Sequence, residues 1–234
     1  MWLVLTYLSG AYLEGNMLQD GDKGVIIQRD KRTYAVAPHL PCGVVTPAFL
    51  RKIADVAEKY GAQAIKCTGA MRIALIGLRE EDIDAIWKDL DASPGAAVGL
   101  CIRSIKACPG TTFCKRGVQD SLGLGIKLDA KYHGVPTPNK FKIGVSGCLN
   151  HCSSPPVTDV GLAGTPKGWK LYVGGCLGPR PRLGVTVAEE LTTEQAEVAV
   201  EKIVNWYKAN GTRAERLGRA IDRVGLEEFK KAVL

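Results

Sequence analysis

The sequence predicts an α+β fold built as two units in tandem, and three observations carry that expectation. Strand-like and helix-like segments are mixed through residues 24 to 92. A small-residue stretch, "DASPGAAVG" at 91–99, then interrupts the pattern. Beyond it, strand-like runs lead into two cysteine pairs before the chain closes on helices. With 234 residues, 46% hydrophobic and 24% charged, the composition is that of a globular protein able to bury a real core.

The elements follow in order. "MWLVLTYLSGAYL" is apolar, but no basic run precedes it and Glu14 follows. It is too short to span a bilayer and lacks the charged start of a secretory signal. A strand, an arm or an upstream extension is expected there, with Met17 a candidate start, and no membrane segment is expected. "KGVIIQRDKRTYAVA" alternates around a polar turn at Asp30-Lys31 and reads as a hairpin. "TPAFLRKIADVAEKYG" reads as a helix capped by Thr46, opened by Pro47 and ended by Gly61, with Phe49, Leu50, Ile53, Val56, Ala57 and Tyr60 on its apolar face. "AQAIKCTGAMRIALIGL" supplies two short strands and "REEDIDAIWKDL" another amphipathic helix.

Past the boundary a helix is expected near 116 to 130, then the strand "KFKIGVSG" and the strand opening "KGWKLYVGGCLGPRPRLG", which runs into a Gly/Pro-rich loop. "TTEQAEVAVEKIVNWYKANG" reads as a long helix capped by Thr192 or Thr193 and stopped at Gly211, with two shorter helices after it.

The net charge is +7 and the pI about 9.0. Such a surplus aids solubility and attracts anionic substrates or an acidic redox partner. The basic residues are scattered and aromatic residues make only 6%, which argues against a nucleic-acid surface. Eight cysteines in a chain this long are too few for a disulfide scaffold. Reduced, metal-binding thiols in the cytoplasm are the expected use. Four of the eight are paired as Cys108-x5-Cys114 and Cys148-x3-Cys152. Structural zinc favours spacers of two to four residues, which suits only the second pair. Tetrathiolate ligation also suits an iron–sulfur cluster. Spacing alone leaves a cluster, zinc and unrelated buried thiols open.

The residues around these cysteines carry a resemblance. "ACPGTTFCKRGVQDSLGLGIKLD" and "KIGVSGCLNHCSSPPVTDVGLAGTPKGWKLYVGG" resemble the siroheme and 4Fe–4S domain of sulfite and nitrite reductases. Upstream, "LPCGVVTP" and "IKCTGAMRIALIG" resemble that family's ferredoxin-like domain, so the likeness spans roughly residues 24 to 210. It implies a 1–23 extension, a ferredoxin-like domain over 24–92, an α/β siroheme and 4Fe–4S domain over 93–210, and a helical segment over 211–234. It further implies that Cys108, Cys114, Cys148 and Cys152 hold the cluster, with Cys152 also bridging to the siroheme iron. Arg103, Lys140 and Lys142 match the family's substrate-binding cations, and Lys66 and Thr68 match positions that bind siroheme carboxylates. Strand alternation puts both lysines of "KFK" on one face, whether to meet an anion or only solvent.

The resemblance implies reduction of sulfite to sulfide, or of nitrite to ammonia, with electrons from a separate donor such as ferredoxin. A cluster protein that transfers electrons without siroheme, and a zinc-bearing nucleic-acid binder, are the rivals. Departures are visible. The family's arginine before the "LPGG" turn is missing from Ala37-Pro38-His39, where His39 is a substitute proton donor or a structural residue. A second family arginine falls on Ala70, for which Arg72 either compensates or stands as an exposed strand residue. Arg180 and Arg182 are further candidates for carboxylates, His151 for a neighbour of the cluster, and Cys42, Cys67, Cys101 and Cys176 for buried small hydrophobes. Familiar relatives carry two copies of this unit and this chain one, which implies a homodimer with shared active sites.

Overall fold

The computed structural model describes residues 17–234, so the expectation for the apolar N-terminal stretch lies outside the described residues. The hairpin forms from β1 (Val25–Ile27) and β2 (Tyr34–Val36). Its turn is held by the Asp30 carboxylate, which accepts from the amides of Arg32 and Thr33. Helix α1 (Pro47–Lys59) starts where Thr46 accepts from the Phe49 amide, and Gly61 ends it in the left-handed region. Ile53, Val56 and Ala57 are buried as their spacing demands, whereas Leu50 is exposed, because the core below reaches only part of the apolar stripe. β3 (Ala64–Cys67), β4 (Ile73–Leu78) and α2 (Ile83–Leu90) complete an antiparallel sheet in the order β1-β2-β4-β3. One core, centred on Tyr34, Leu75, Leu78, Ile86 and Leu90, joins that sheet to α1 and α2.

The second unit is a five-stranded mixed sheet in the order β5-β6-β7-β8-β9. Its strands are β5 (Ile102–Ala107), β6 (Phe141–Ser146), β7 (Val160–Thr165), β8 (Gly168–Val173) and β9 (Val185–Leu191). β5, β6 and β7 run parallel, and the remaining pairings are antiparallel. A short helix α3 (Gly110–Phe113) and a longer α4 (Ser121–Tyr132) connect β5 to β6. The helix expected from residue 116 starts later, at Ser121, because Asp120 caps it by accepting from the Gly123 amide. The capping box of Thr192 and Gln195 opens α5 (Thr193–Asn210), which ends at Gly211. Helices α6 (Leu217–Val224) and α7 (Leu226–Val233) follow, and their Leu217, Ile221, Phe229 and Val233 are buried in the same core as α4, α5 and the sheet.

The two faces of this second sheet differ. Phe141, Ile143 and Val145 of β6 turn into the helix-covered core. Lys140, Lys142, Gly144 and Ser146 take the opposite face. Gly144 and Gly161 are partners across the β6–β7 ladder, and the segment Ser153–Pro155 lies directly over them. A Cβ at Gly144 would sit 2.8 Å from the Ser153 carbonyl oxygen, and one at Gly161 would collide with the Pro155 carbonyl. The Ser153 amide fixes the segment by donating to Ser146 Oγ at 3.0 Å. The loop containing Cys152 is thereby laid on the lysine face.

Gly161→Ala is expected to destabilise the fold by about 1–3 kcal/mol, the usual cost of inserting volume into a packed contact. Urea unfolding of the wild type and the variant measures it, and an unchanged midpoint would show that the loop lies elsewhere.

Candidate active site

The cysteine pairs occupy the C-terminal ends of adjacent parallel strands, the usual position for ligands in open α/β sheets. Cys108 follows β5, and Cys148 and Cys152 follow β6. Cys114 follows α3, and its loop is fastened to the second cysteine loop by the amides of Val118 and Gln119, both donating to the Gly147 carbonyl. Cys108 is buried and its sulfur accepts from the Gly147 amide at 3.1 Å. Cys114 and Cys148 are half-buried and Cys152 is exposed. Among the described residues, no three His, Cys, Asp or Glu side chains converge as the ligands of a single ion do. Four cysteines on two loops fastened to each other form a donor set suited to a cluster.

β5 and β6 also present a group of cations on the side over which Ser153–Pro155 passes. Arg103, Lys140 and Lys142 are half-buried, and none has a carboxylate partner among the described residues. Lys106 joins them, since Ser104 pairs with Lys142 and Lys106 with Gly144 across the β5–β6 ladder. Burial pushes the Lys106 ammonium down. Burial first, then Lys106, Lys140 and Arg216, push Lys142 down, against the pull of Asp159. Arg216 makes a two-pronged pair with the fully buried Asp159 at 3.0 and 2.8 Å, and Asp159 also accepts from the Lys142 amide at 2.9 Å. Burial drives the Asp159 carboxyl upward and the Arg216 guanidinium opposes it. That pair fastens the start of α6 to the edge of the lysine strand. Unpaired, partly desolvated ammonium groups call for an anion.

A cavity of about 680 Å³ opens beside this group. Arg103, Lys140, Arg180, Arg182, Arg216 and Arg219 supply its positive lining. Its size and charge fit a carboxylate-bearing macrocycle. Arg182 is partly committed, donating to the Gly218 carbonyl at 2.9 Å and to Asp222.

The other expected residues have the following surroundings. Lys66 is exposed on β3, an edge strand whose four residues are all exposed. Thr68 Oγ1 accepts from the amides of Ala70 and Arg72, so the hydroxyl shapes the β3–β4 turn. Arg72 is not an exposed strand residue but 4% exposed in the seam between the two sheets. There it donates to the Ala37 and Arg103 carbonyls and meets His133 Nε2. His39 is engaged too, its Nε2 lying 2.6 Å from Asp129 Oδ2 and its ring stacked on His133. His151 meets the Tyr172 hydroxyl at 3.3 Å on the lysine face. Cys42 and Cys101 are buried as expected, but Cys67 is exposed and Cys176 half-buried, because β3 is an edge and Cys176 lies at the cavity rim. Lys106 escaped sequence reading, although its place two residues before Cys108 in an alternating strand was the available signal.

Comparison with known proteins now decides the family. The family model described as the nitrite and sulphite reductase 4Fe–4S domain matches residues 98–234, and the nitrite/sulfite reductase ferredoxin-like half domain matches residues 26–93. The chain belongs to the nitrite and sulphite reductase family. It is an oxidoreductase whose family cofactors are a 4Fe–4S cluster and siroheme. The assimilatory-type sulfite reductase of Nitratidesulfovibrio vulgaris is 42% identical over 93% of this chain and 100% of its own. The NAD(P)H nitrite reductase of Bacillus subtilis is 39% identical over 88% of this chain, which spans only 26% of that protein. In fold, the chain is similar to dissimilatory sulfite reductase I, with a TM-score of 0.77 at 17% identity over 86% of this chain and 69% of that one. It is also similar to the Mycobacterium tuberculosis NirA protein, with a TM-score of 0.75 at 20% identity over 92% of this chain and 43% of that one. The expected α+β order, ferredoxin-like domain first, holds. Among the described residues no helix is long and apolar enough to cross a membrane.

Anion binding at this face should weaken as pH rises, and should do so below the 10.5 of an ordinary lysine. The lowered Lys142 value means the ammonium loses its proton early. Nitrite, which keeps one charge throughout that range, is a suitable probe. Its affinity should fall with pH in the wild type and become flatter in Lys142→Arg, whose guanidinium stays charged.

Proposed function

We propose that the chain reduces sulfite to sulfide with siroheme and a 4Fe–4S cluster, taking electrons from a separate donor protein such as ferredoxin. The observation that carries this reading is that β5 and β6 bear both sets of groups: Arg103, Lys140 and Lys142, with no carboxylate partner among the described residues, and the two cysteine loops that follow the strands. The end-to-end likeness to a sulfite reductase supports sulfite as the substrate, while the nitrite reductases among its relatives support nitrite, reduced to ammonia, as the second reading.

Cys108, Cys114, Cys148 and Cys152 would hold the cluster, and the exposure of Cys152 leaves its sulfur accessible to the siroheme iron as well. Lys66, Thr68 and Arg72 were the residues expected to meet siroheme carboxylates. Lys66 retains that role in our reading, whereas the Arg72 guanidinium is spent on protein acceptors. When bound, the cofactors supply single electrons to the anion's central atom, six in all, and each departing oxygen leaves as water. The residues of this chain do the remaining work. Arg103, Lys140 and Lys142 draw the anion in and neutralise its charge, and the ammonium groups donate protons to the oxygens as they leave. Electrostatic stabilisation of this kind in a closed site is usually the largest catalytic contribution. Cluster-ligating thiols support a cytoplasmic location in this reading.

A C2 homodimer would account for the single copy of the unit, with Cys152 of one chain and the lysines of the other both contributing to each siroheme site. The exposed edge strand β3 and the 80% exposed Phe113 beside the cluster loops support a covering partner.

Lys140→Ala/Lys142→Ala should keep the cofactor spectrum and lose at least about a hundredfold in turnover of sulfite or nitrite. Normal turnover would make both lysines surface residues. Mixing that variant with Cys152→Ser under subunit exchange should restore activity, because a mixed dimer holds one intact shared site. With exchange and folding verified, an inactive mixture would assign each site to a single chain.

A further inference from the structure

Arg103 stands where the β5–β6 ladder skips. Ile102 pairs with Phe141 and Ser104 with Lys142, so Arg103 is the extra residue of a bulge. A bulge re-aims its side chain and leaves backbone groups of the extra residue outside the ladder. The Arg103 carbonyl finds its donor in the other sheet, at Arg72 Nη2, 2.7 Å away. The same guanidinium donates to the Ala37 carbonyl at 3.2 Å and rests against His133 Nε2 at 3.0 Å. Burial, then His39 and Arg72, lower His133 to about 4, so it is neutral and able to accept. The passage between the sheets exists because residue 95 is glycine, where a Cβ would come within 2.5 Å of Arg72 Nη1. On the far side of the bulge, Arg103 Nε donates to the Gly99 carbonyl at 2.8 Å, and the side chain lines the cavity.

We propose that Arg72 is a positioning residue for Arg103: it holds the bulge carbonyl from the ferredoxin-like domain and so sets the direction of the guanidinium that receives the anion. This rests on the reading of Arg103 as an anion-binding group. It replaces the expectation that Arg72 meets a siroheme carboxylate directly, and it makes the seam between the domains part of the anion site. Each of the two hydrogen bonds involves a charged donor and a carbonyl that burial would otherwise leave unpaired, so the link has energetic weight.

Four proteins test it: Arg72→Gln, Arg72→Lys, Arg103→Ala and the double variant Arg72→Gln/Arg103→Ala. Arg72→Gln should raise the KM for sulfite about tenfold, with kcat changed less than about twofold and siroheme absorption retained. Arg72→Lys, able to reach one of the two carbonyls, should fall between. The double variant should bind no worse than Arg103→Ala alone, because the two act as one unit. A readout independent of turnover is the arginine Nε–H resonance of Arg103 in the cofactor-free chain, whose solvent exchange should accelerate about tenfold in Arg72→Gln as its bond to Gly99 loosens. A simple staple between domains would lower the melting temperature and leave KM and that exchange rate unchanged, which would overturn the proposal. So would additive effects in the double variant. An Arg103→Ala enzyme with normal KM would instead refute the anion-binding role of Arg103, and the exchange measurement would still decide whether Arg72 positions it.

Discussion

The site depends on one steric constraint. The loop carrying Cys152 must lie flat on a sheet that also presents cations, and a sheet surface is ordinarily covered by side chains. Gly144 and Gly161, partners on adjacent strands, remove them from the place where Ser153–Pro155 passes. Ser146 then fastens the loop by one hydrogen bond. Strand alternation does the rest, because the register that exposes Gly144 to the loop also turns Lys140 and Lys142 to the same face. The Cys152 loop and the two lysines are therefore coupled by the geometry of a single strand.

Electrostatics follows from that arrangement. Arg103, Lys106, Lys140 and Lys142 crowd a half-buried surface without carboxylate partners, an unfavourable state for a chain standing alone. Asp159, the carboxylate beside Lys142, is already held by Arg216. An anionic group entering the cavity would relieve this repulsion. The helix-covered face bears the cost of folding, with Phe141, Trp169 and Tyr207 fully buried there.

Much of this was legible in the sequence because it follows from local rules. Thr46, Thr192 and Gly61 mark helix ends by hydrogen-bonding and conformational preferences that act within a few residues. The "KFK" alternation and the cysteine spacing placed lysines and thiols correctly on and after β6. What escaped depends on contacts between distant segments. Neither the bulge at Arg103 nor the seam that buries Arg72 against Ala37 and His133 is encoded within a window of neighbours. Leu50 and Cys67 were expected inside and lie outside, since periodicity marks a face but does not say how far the opposing layer extends. Lys106 was readable in principle, being in phase with Cys108 on a strand that the motif itself obscured.

In the proposed reading Cys108, Cys114, Cys148 and Cys152 would hold a cluster, and Cys152 would serve a siroheme as well. Absorption spectroscopy of the purified protein, combined with metal analysis of the same sample, addresses it most directly. Isobacteriochlorin bands should accompany about five irons per chain, four in the cluster and one in the siroheme. Stoichiometric zinc, or cluster iron without the macrocycle's bands, would contradict the account.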